Sequence, residues 1–574
     1  MLKPKSIVFI AVGLLAFSRL DAAPVAGQPD AGSIMRSQNP QRELPGVLPS
    51  KEKEKPLARP EGGPEVSVTV KAIHFEGYEG IASRQELQAL VAGSVGKTLD
   101  WNGLQDIAMR VTTYLRAKGW FLAEAYLPEQ DLSSGVVTIA IVQGKSDGGI
   151  KVERDDSVRI SKNVLEGITH DGAEDGKALN LHRLERAILL TNDLPGMNAK
   201  AMIQPGSLSG TSTVTFKTSE GPLVSGAAWS DNMGNRYTGA WRGSAMVSLN
   251  DPLRYGDRLS VLYTGAEGLN QGKIDYSFPI GCSGLMGDVS WTGMNYRLHK
   301  EFEDAGYTGD SSVINGGLTY PLIRTRKTTL KAGIGYAVKH LTDRQNSTGL
   351  SDKMLKEGSA NLALLHYDNW LGGGATTANV AVNYGDFHED NAAAAIDAEA
   401  AGKTGGFTFL TANLSRLQRV ATRTTLNLSW SSKYAFDNLD TSEKFYLGGP
   451  YGVRAYPVGE AGGDSGHLLN ADLRYQLPVP ASWGKMLLGC FYDAGYIMLN
   501  HERFSGDVSS ATGRNSYWLE GAGVNLNWVI AEKYVIECTW AHTIGDNSGR
   551  SVIGMNADGK SDSSRFWLQG MFTF

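Results

Sequence analysis

From about residue 221 to the last residue, apolar side chains recur at every second position and never at helical spacing. In HLLNADLRYQL, Leu469, Ala471, Leu473, Tyr475 and Leu477 fall on one side, and Asn470, Asp472, Arg474 and Gln476 on the other. In TTLNLSWSSKY, Leu426, Leu428 and Trp430 oppose Asn427, Ser429, Ser431 and Lys433. A soluble sandwich alternates in the same way, so the connections carry the decision. Seven short ones (NDPLRYGD, SFPIGCSG, YPLIRTRK, NWLGGGAT, SRLQRVATR, LPVPASWG and VIAEKY) alternate with long polar loops, the asymmetry of a membrane-spanning barrel. With both chain ends on the short-turn side, seven turns imply about 16 strands. Residues 221–574 then leave ~22 residues for each strand and its connection, enough for a tilted crossing of ~9–11. The expected fold class is α+β modules followed by a transmembrane antiparallel β-barrel.

Composition agrees. The chain has 69 glycines, 12 tryptophans and 22 tyrosines, a mixture suited to aromatic girdles at two membrane interfaces. A net charge of −5 gives no reason to expect nucleic acid. Cys282, Cys490 and Cys538 are odd in number and far apart, so they form neither a disulfide framework nor a zinc site. The ten histidines show no ligand spacing, and no metal or cofactor is expected. GGDSGH contains a Gly-Asp-Ser-Gly quartet reminiscent of serine proteases, but its His and Asp contexts are missing, and Ser465 is not assigned catalysis. NADGKSDSS lacks the bidentate glutamate of a calcium loop and reads as a surface loop. No enzyme activity is expected.

The other end is organised differently. Lys3 and Lys5 precede SIVFIAVGLLAF, and Ala22 and Ala23 follow, the pattern of a secretory signal over 1–23. Its twelve apolar residues are too few to span a bilayer, which takes about 20. Residues 24–64 hold one short helical stretch, which Pro40 kinks or ends, and a linker rich in proline, glycine and charge. Between 65 and 220 one pattern occurs twice. VSVTVKAIHFEG is followed by two helices, the second with Leu104, Ile107, Ala108, Val111 and Leu115 on one stripe, and then by WFLAEAYLP and GVVTIAIVQG. GIKVERDD opens a fainter copy that closes with MNAKAMIQPG and TSTVTFKTSEG. This β-α-α-β-β order resembles the POTRA domain, with copies expected at 65–145 and 146–220. The resemblance implies a periplasmic module that offers a sheet edge and a helix-lined groove to unfolded polypeptide.

A signal, two POTRA-like modules and a barrel over 221–574 together resemble the transporters of two-partner secretion, the family that exports haemolysins and filamentous haemagglutinins. The most specific match is Val453-Arg454-Ala455-Tyr456, where Ala455 stands in place of the usual glycine at the tip of a loop, 436–466, that folds back into the lumen. Its partner motif is Phe491-Tyr492-Asp493-Ala494-Gly495, with Phe491, Asp493 and Gly495 on one face. Gly489 shares that face, and the two glycines leave room for an incoming loop. The chemistry fits a latch, because the planar guanidinium of Arg454 matches the Asp493 carboxylate bidentately. The resemblance also implies a helix at about 30–44 lodged in the lumen. RFWLQGMFTF places Phe566, Leu568, Phe572 and the terminal Phe574 on one face, which resembles the signal read by the barrel-assembly machinery. The expected partners are a large secreted exoprotein, outer-membrane lipids and that machinery, with the modules in the periplasm of a Gram-negative cell. An outer-membrane insertase and a small-solute porin are the alternatives. The insertase usually carries more modules, and the porin needs none.

Overall fold

Sixteen antiparallel strands, from Val224–Asp231 to Ser564–Thr573, follow one another in sequence order around a closed barrel. The computed structural model describes residues 28–38, 67–390, 397, 400–504 and 510–574. The expected signal at 1–23 and the linker beyond residue 38 lie outside these residues. All seven short connections fall between strands as the alternation predicts. The last strand meets the first in a register running from Gln569 opposite Asp231 to Thr573 opposite Ala227. Gly226 and Phe574 extend that seam by exchanging two backbone hydrogen bonds of 3.0 Å.

The two faces of the wall invert a soluble barrel. Val261, Ile274, Trp291 and Ile314 form one cross-strand row on the outside, and all four are exposed. Lys433, Asn427, Asn470, Asp472 and Asp493 point inward and are buried. Apolar outside and polar inside is stable only where lipid replaces water around the wall. Among the described residues no helix is long and apolar enough to cross a membrane. Phe566, Leu568, Phe572 and Phe574 share the outer face, and the Phe572 ring stacks between Phe574 and Tyr534.

Two α+β modules stand at the short-turn end. In the first, Ala72–Glu76, Val136–Val142 and Glu124–Tyr126 form a three-stranded sheet under the helices Arg84–Val91 and Trp101–Ala117. Local chemistry starts both helices. Ser83 and Glu86 close a capping box, and the Asp100 side chain accepts from Gly103 N–H. The second module repeats the order with strands Lys145–Arg154, Thr211–Glu220 and Met197–Pro205. The apolar stripe Leu104, Ile107, Ala108, Val111 and Leu115 is consumed by the first module's own core. It therefore does not line a client groove. The open groove lies beside it, about 810 Å³ bordered by Leu90, Leu99, Met109 and Tyr114 with Lys97 and Arg110.

Polar contacts join the modules to each other and to the barrel. Leu181 N–H donates to the Gly119 carbonyl between modules (2.7 Å). Arg324 forks onto Asp193 (2.7 and 2.8 Å), and Arg186 donates to the Ser283 and Pro321 carbonyls, which fixes the second module against two short turns.

The barrel seam has one position without slack. A Cβ on Gly226 would lie 2.5 Å from the Phe574 ring and 2.6 Å from the Met246 carbonyl, whereas one on Gly243 meets nothing within 4 Å. Gly226→Val should sharply reduce heat-modifiable barrel in outer membranes, and Gly243→Val should leave it near wild type. Gel mobility before and after boiling measures both.

Candidate functional site: a loop latched inside the lumen

The connection between strands Thr424–Ala435 and Ser465–Gln476 turns back into the barrel instead of reaching out. A two-residue ribbon, Phe445–Tyr446 paired with Gly462–Gly463, forms its neck. Beyond the neck Val453 N–H donates to the Leu447 carbonyl (2.7 Å) and Tyr456 N–H to the Val453 carbonyl (3.0 Å), folding the tip into a compact turn. Leu447, Val453, Ala455 and Tyr456 are buried against Phe491, Tyr517, Leu519 and Ala541 of the wall.

Arg454 reaches the wall from that tip. Its Nε and Nη2 donate to the two oxygens of Asp493 (2.8 and 2.6 Å), the bidentate geometry of matched planar groups. Its backbone N–H also donates to Asp493 Oδ2 (3.0 Å). Nη1 donates to a second carboxylate, Asp472 Oδ1, at 2.8 Å. The guanidinium lies 3.4 Å from the centre of the Phe491 ring, an added cation–π contact. Burial works against the charged form, yet the hydrogen bonds and charge of Asp493, joined by Asp472, overcome it and hold Arg454 above the ordinary arginine value.

Three contacts have no precursor in the two motifs. Asn470 Nδ2 donates to both Asp493 Oδ1 (2.7 Å) and the Gly452 carbonyl (3.0 Å), bridging wall and loop. Trp567 Nε1 donates to the Arg454 carbonyl (2.8 Å) from the last strand. Asp472 completes the carboxylate pair, and Arg474 Nη2 stands 3.7 Å from it. Inward parity marks Asn470, Asp472 and Trp567 as lumenal, but only the fold brings the loop onto them.

The glycines divide differently from the expectation that Gly489 and Gly495 both make room for the loop. A Cβ on Gly495 would meet Leu447 Cδ2 at 2.6 Å, so Gly495 does lie under the loop. Gly489 faces Asn525 of the wall instead. The second loop-facing glycine is Gly521, where a Cβ would stand 2.6 Å from the Ala455 methyl. Ala455 is absent from the residues with left-handed backbone, so the tip does not require glycine there. Its methyl occupies the space that Gly521 leaves.

A helix, Ala31–Gln38, lies in the lumen, and the expected stretch beyond residue 38 lies outside the described residues. Eight residues are too few for a stable isolated helix, so packing must hold it. Ala31, Ile34 and Met35 are buried against Tyr296, Leu341, Leu355 and Phe407. Asp30 Oδ2 accepts from Lys353 Nζ (3.1 Å) and Thr441 Oγ1 (2.5 Å), and Gln38 Oε1 accepts from Arg242 Nη1 (2.7 Å). Thr441 belongs to the in-folding loop, so the two lumenal elements touch. Lys339, itself paired with Glu357 (2.7 Å), also holds the Glu443 carboxylate of that loop, and Lys433 Nζ donates to the Glu443 carbonyl.

Ser465 sits at the loop's end, and its hydroxyl accepts from Ala435 N–H (2.9 Å). Among the described residues no group of three or more metal-ligating side chains converges.

Comparison with known proteins now fits this architecture. A model of the haemolysin secretion/activation proteins ShlB/FhaC/HecB matches residues 210–515, and a ShlB-type POTRA domain matches 68–144. The chain belongs to the haemolysin secretion/activation family. The heme/hemopexin transporter protein HuxB of Haemophilus influenzae (strain 86-028NP) is 25% identical over the whole of both chains. The hemolysin transporter protein ShlB of Serratia marcescens is 23% identical over 80% of this chain and 82% of its own. The solved structure of CdiB from Escherichia coli superposes with a TM-score of 0.74 at 21% identity, over 91% of this chain and 93% of that one. The haemolysin secretion/activation family is one of two-partner secretion transporters, with the barrel in the Gram-negative outer membrane and POTRA domains in the periplasm. The short turns therefore face the periplasm and the long loops face outward. Membership favours secretion over the insertase and porin readings.

Removing one side of a buried ion pair strands the other, at a cost of about 3–5 kcal/mol. Arg454→Ala and Asp493→Ala should each lower secreted client severely while the wall, held by its backbone ladder, still folds. If the pair acts as a unit, the double variant is no worse than the worse single. The measurement is secreted client per unit of heat-modifiable barrel. Multiplicative losses would mean that the two residues act independently.

Proposed function

We propose that the two periplasmic modules capture an unfolded exoprotein and that the barrel conducts it outward once the helix Ala31–Gln38 and the in-folding loop leave the lumen. The carrying observation is how the lumen is filled. Both elements sit in it through side-chain contacts to the wall, and neither adds a strand to the barrel ladder. Side-chain contacts can be exchanged while the wall stays intact, so the same barrel supports a closed and an open state. Capture is supported by the open edges of two three-stranded sheets, which can bind an extended client through main-chain hydrogen bonds with little demand on its sequence. The groove beside Leu99 and Met109 adds an apolar surface with Lys97 and Arg110 at its rim.

Arg454 and Asp493 act in this reading as the latch, with Val453, Ala455 and Tyr456 shaping its tip and Phe491 and Gly495 its seat. Phe572 and Phe574 serve the barrel-assembly machinery during insertion, and the exposed apolar band meets outer-membrane lipid. We assign no catalytic role to Ser465 and no cofactor. The driving force then comes from the client, which folds outside.

The helix packs on the loop without slack. A Cβ on Gly32 would fall 2.6 Å from Ser442 N and 2.7 Å from Thr441 Oγ1. Gly32→Leu should expel the helix without touching the wall and raise single-channel conductance in planar bilayers. Unchanged conductance would mean that the helix does not limit the pore.

A further inference from the structure

Six residues beyond Arg454, the same loop carries another buried carboxylate, Glu460. Glu460 is 2% exposed, and both hydrogen bonds of its carboxylate go to one outer loop. Its Oε1 accepts from Asn547 Nδ2 (2.7 Å), and its Oε2 accepts from Ala557 N–H (2.6 Å). Both donors belong to the outer loop 545–563 between the last two strands. That loop is braced in place. Arg565 pairs with Asp558 (2.6 Å), Arg236 donates to the Asp558 carbonyl (3.0 Å), and Asn547 and Arg550 both donate to Asn556 Oδ1 (3.2 and 3.3 Å). The residue after Glu460, Ala461, has φ +55° and is buried. A left-handed alanine stores strain that its surroundings must hold, a feature typical of segments with two states.

We propose that Glu460 and the outer loop 545–563 form a second clasp on the in-folding loop, which must open before that loop can leave the lumen. The inference rests on the reading of this barrel as a channel gated by the loop. Glu460 is a positioning residue, since it holds the loop and does not touch the client. The surrounding charged and titratable groups are Asp546, Arg550 and Asp558 of the outer loop, Arg565 of the last strand, Tyr517 of the wall and Tyr456 of the in-folding loop. Burial pushes the Glu460 carboxyl up to about 7, with Asp558 adding to the rise, against the bonds from Ala557 and Asn547 and the charge of Arg565. A released loop returns Glu460 to water and to an ordinary value of about 4.3. The clasped state thus binds the proton more tightly. Its advantage is complete below about 4.3 and is lost as pH rises through about 7.

The test is single-channel recording on the purified full-length protein between about pH 4 and 8. Wild type should show an open-state occupancy that climbs about tenfold or more across this window. Glu460→Gln, neutral throughout, should flatten the profile whatever its absolute level. Asn547→Ala removes one donor and should raise occupancy at acidic pH. A wild-type pH profile in Glu460→Gln, or unchanged acidic occupancy in Asn547→Ala, overturns the clasp. Arg454→Ala run alongside separates the two claims, because failure of that variant to open the pore overturns the gated-channel reading itself.

Discussion

A guanidinium enclosed in a barrel must find partners for its charge and its donors, and Arg454 finds them in two carboxylates on neighbouring strands. Asp493 takes a bidentate fork and the loop's own backbone N–H, Asp472 takes the remaining arm, and Phe491 covers one face. The asymmetry of buried ion pairs gives this arrangement its use. A matched pair adds little net stability over an apolar plug, but a broken one is costly. In the proposed reading of this loop as a gate, an intermediate position leaves charge unpaired and is disfavoured.

The rest of the lumen follows the same logic. Asp30, Lys353 and Thr441 tie the helix to the wall and to the loop, and Lys339 with Glu357 holds Glu443. Apolar clusters around Ile34 and around Val453 pack beside these polar contacts. In the gated reading, water and client replace the polar contacts in turn. The wall is independent of all of them, since its sixteen strands are joined by backbone hydrogen bonds and closed by the seam at Phe574. The contacts that hold the lumenal elements and those that close the wall are thus different interactions.

Much of this was legible in the chain itself. Period-two alternation and the seven turns set the strand count, because each depends only on local order. Arg454 and Asp493 were readable as a pair because the motifs around them are compact. Asn470 and Asp472 were visible as inward-facing, but their bonds to the loop depend on how far it descends, and no local pattern encodes that depth. Gly521 pairs with Ala455 across more than sixty residues, so the expectation fell on Gly489 instead, which faces Asn525. The stripe from Leu104 to Leu115 was correctly read as helical. Its use as module core, not as a client groove, depends on the sheet beneath it.

The central claim is that the in-folding loop must move for export to occur, and a reversible covalent lock tests it most directly. The Cβ positions at 455 and 521 stand 2.6 Å apart, so a modest shift brings them to the ~3.8 Å of a disulfide. Ala455→Cys with Gly521→Cys, in a background where Cys282, Cys490 and Cys538 are replaced by serine, joins the loop tip to the wall. Secreted client should fall to background under oxidising conditions and recover when reductant is added. Undiminished secretion from the oxidised, cross-linked barrel would show that the client passes without withdrawal of the loop.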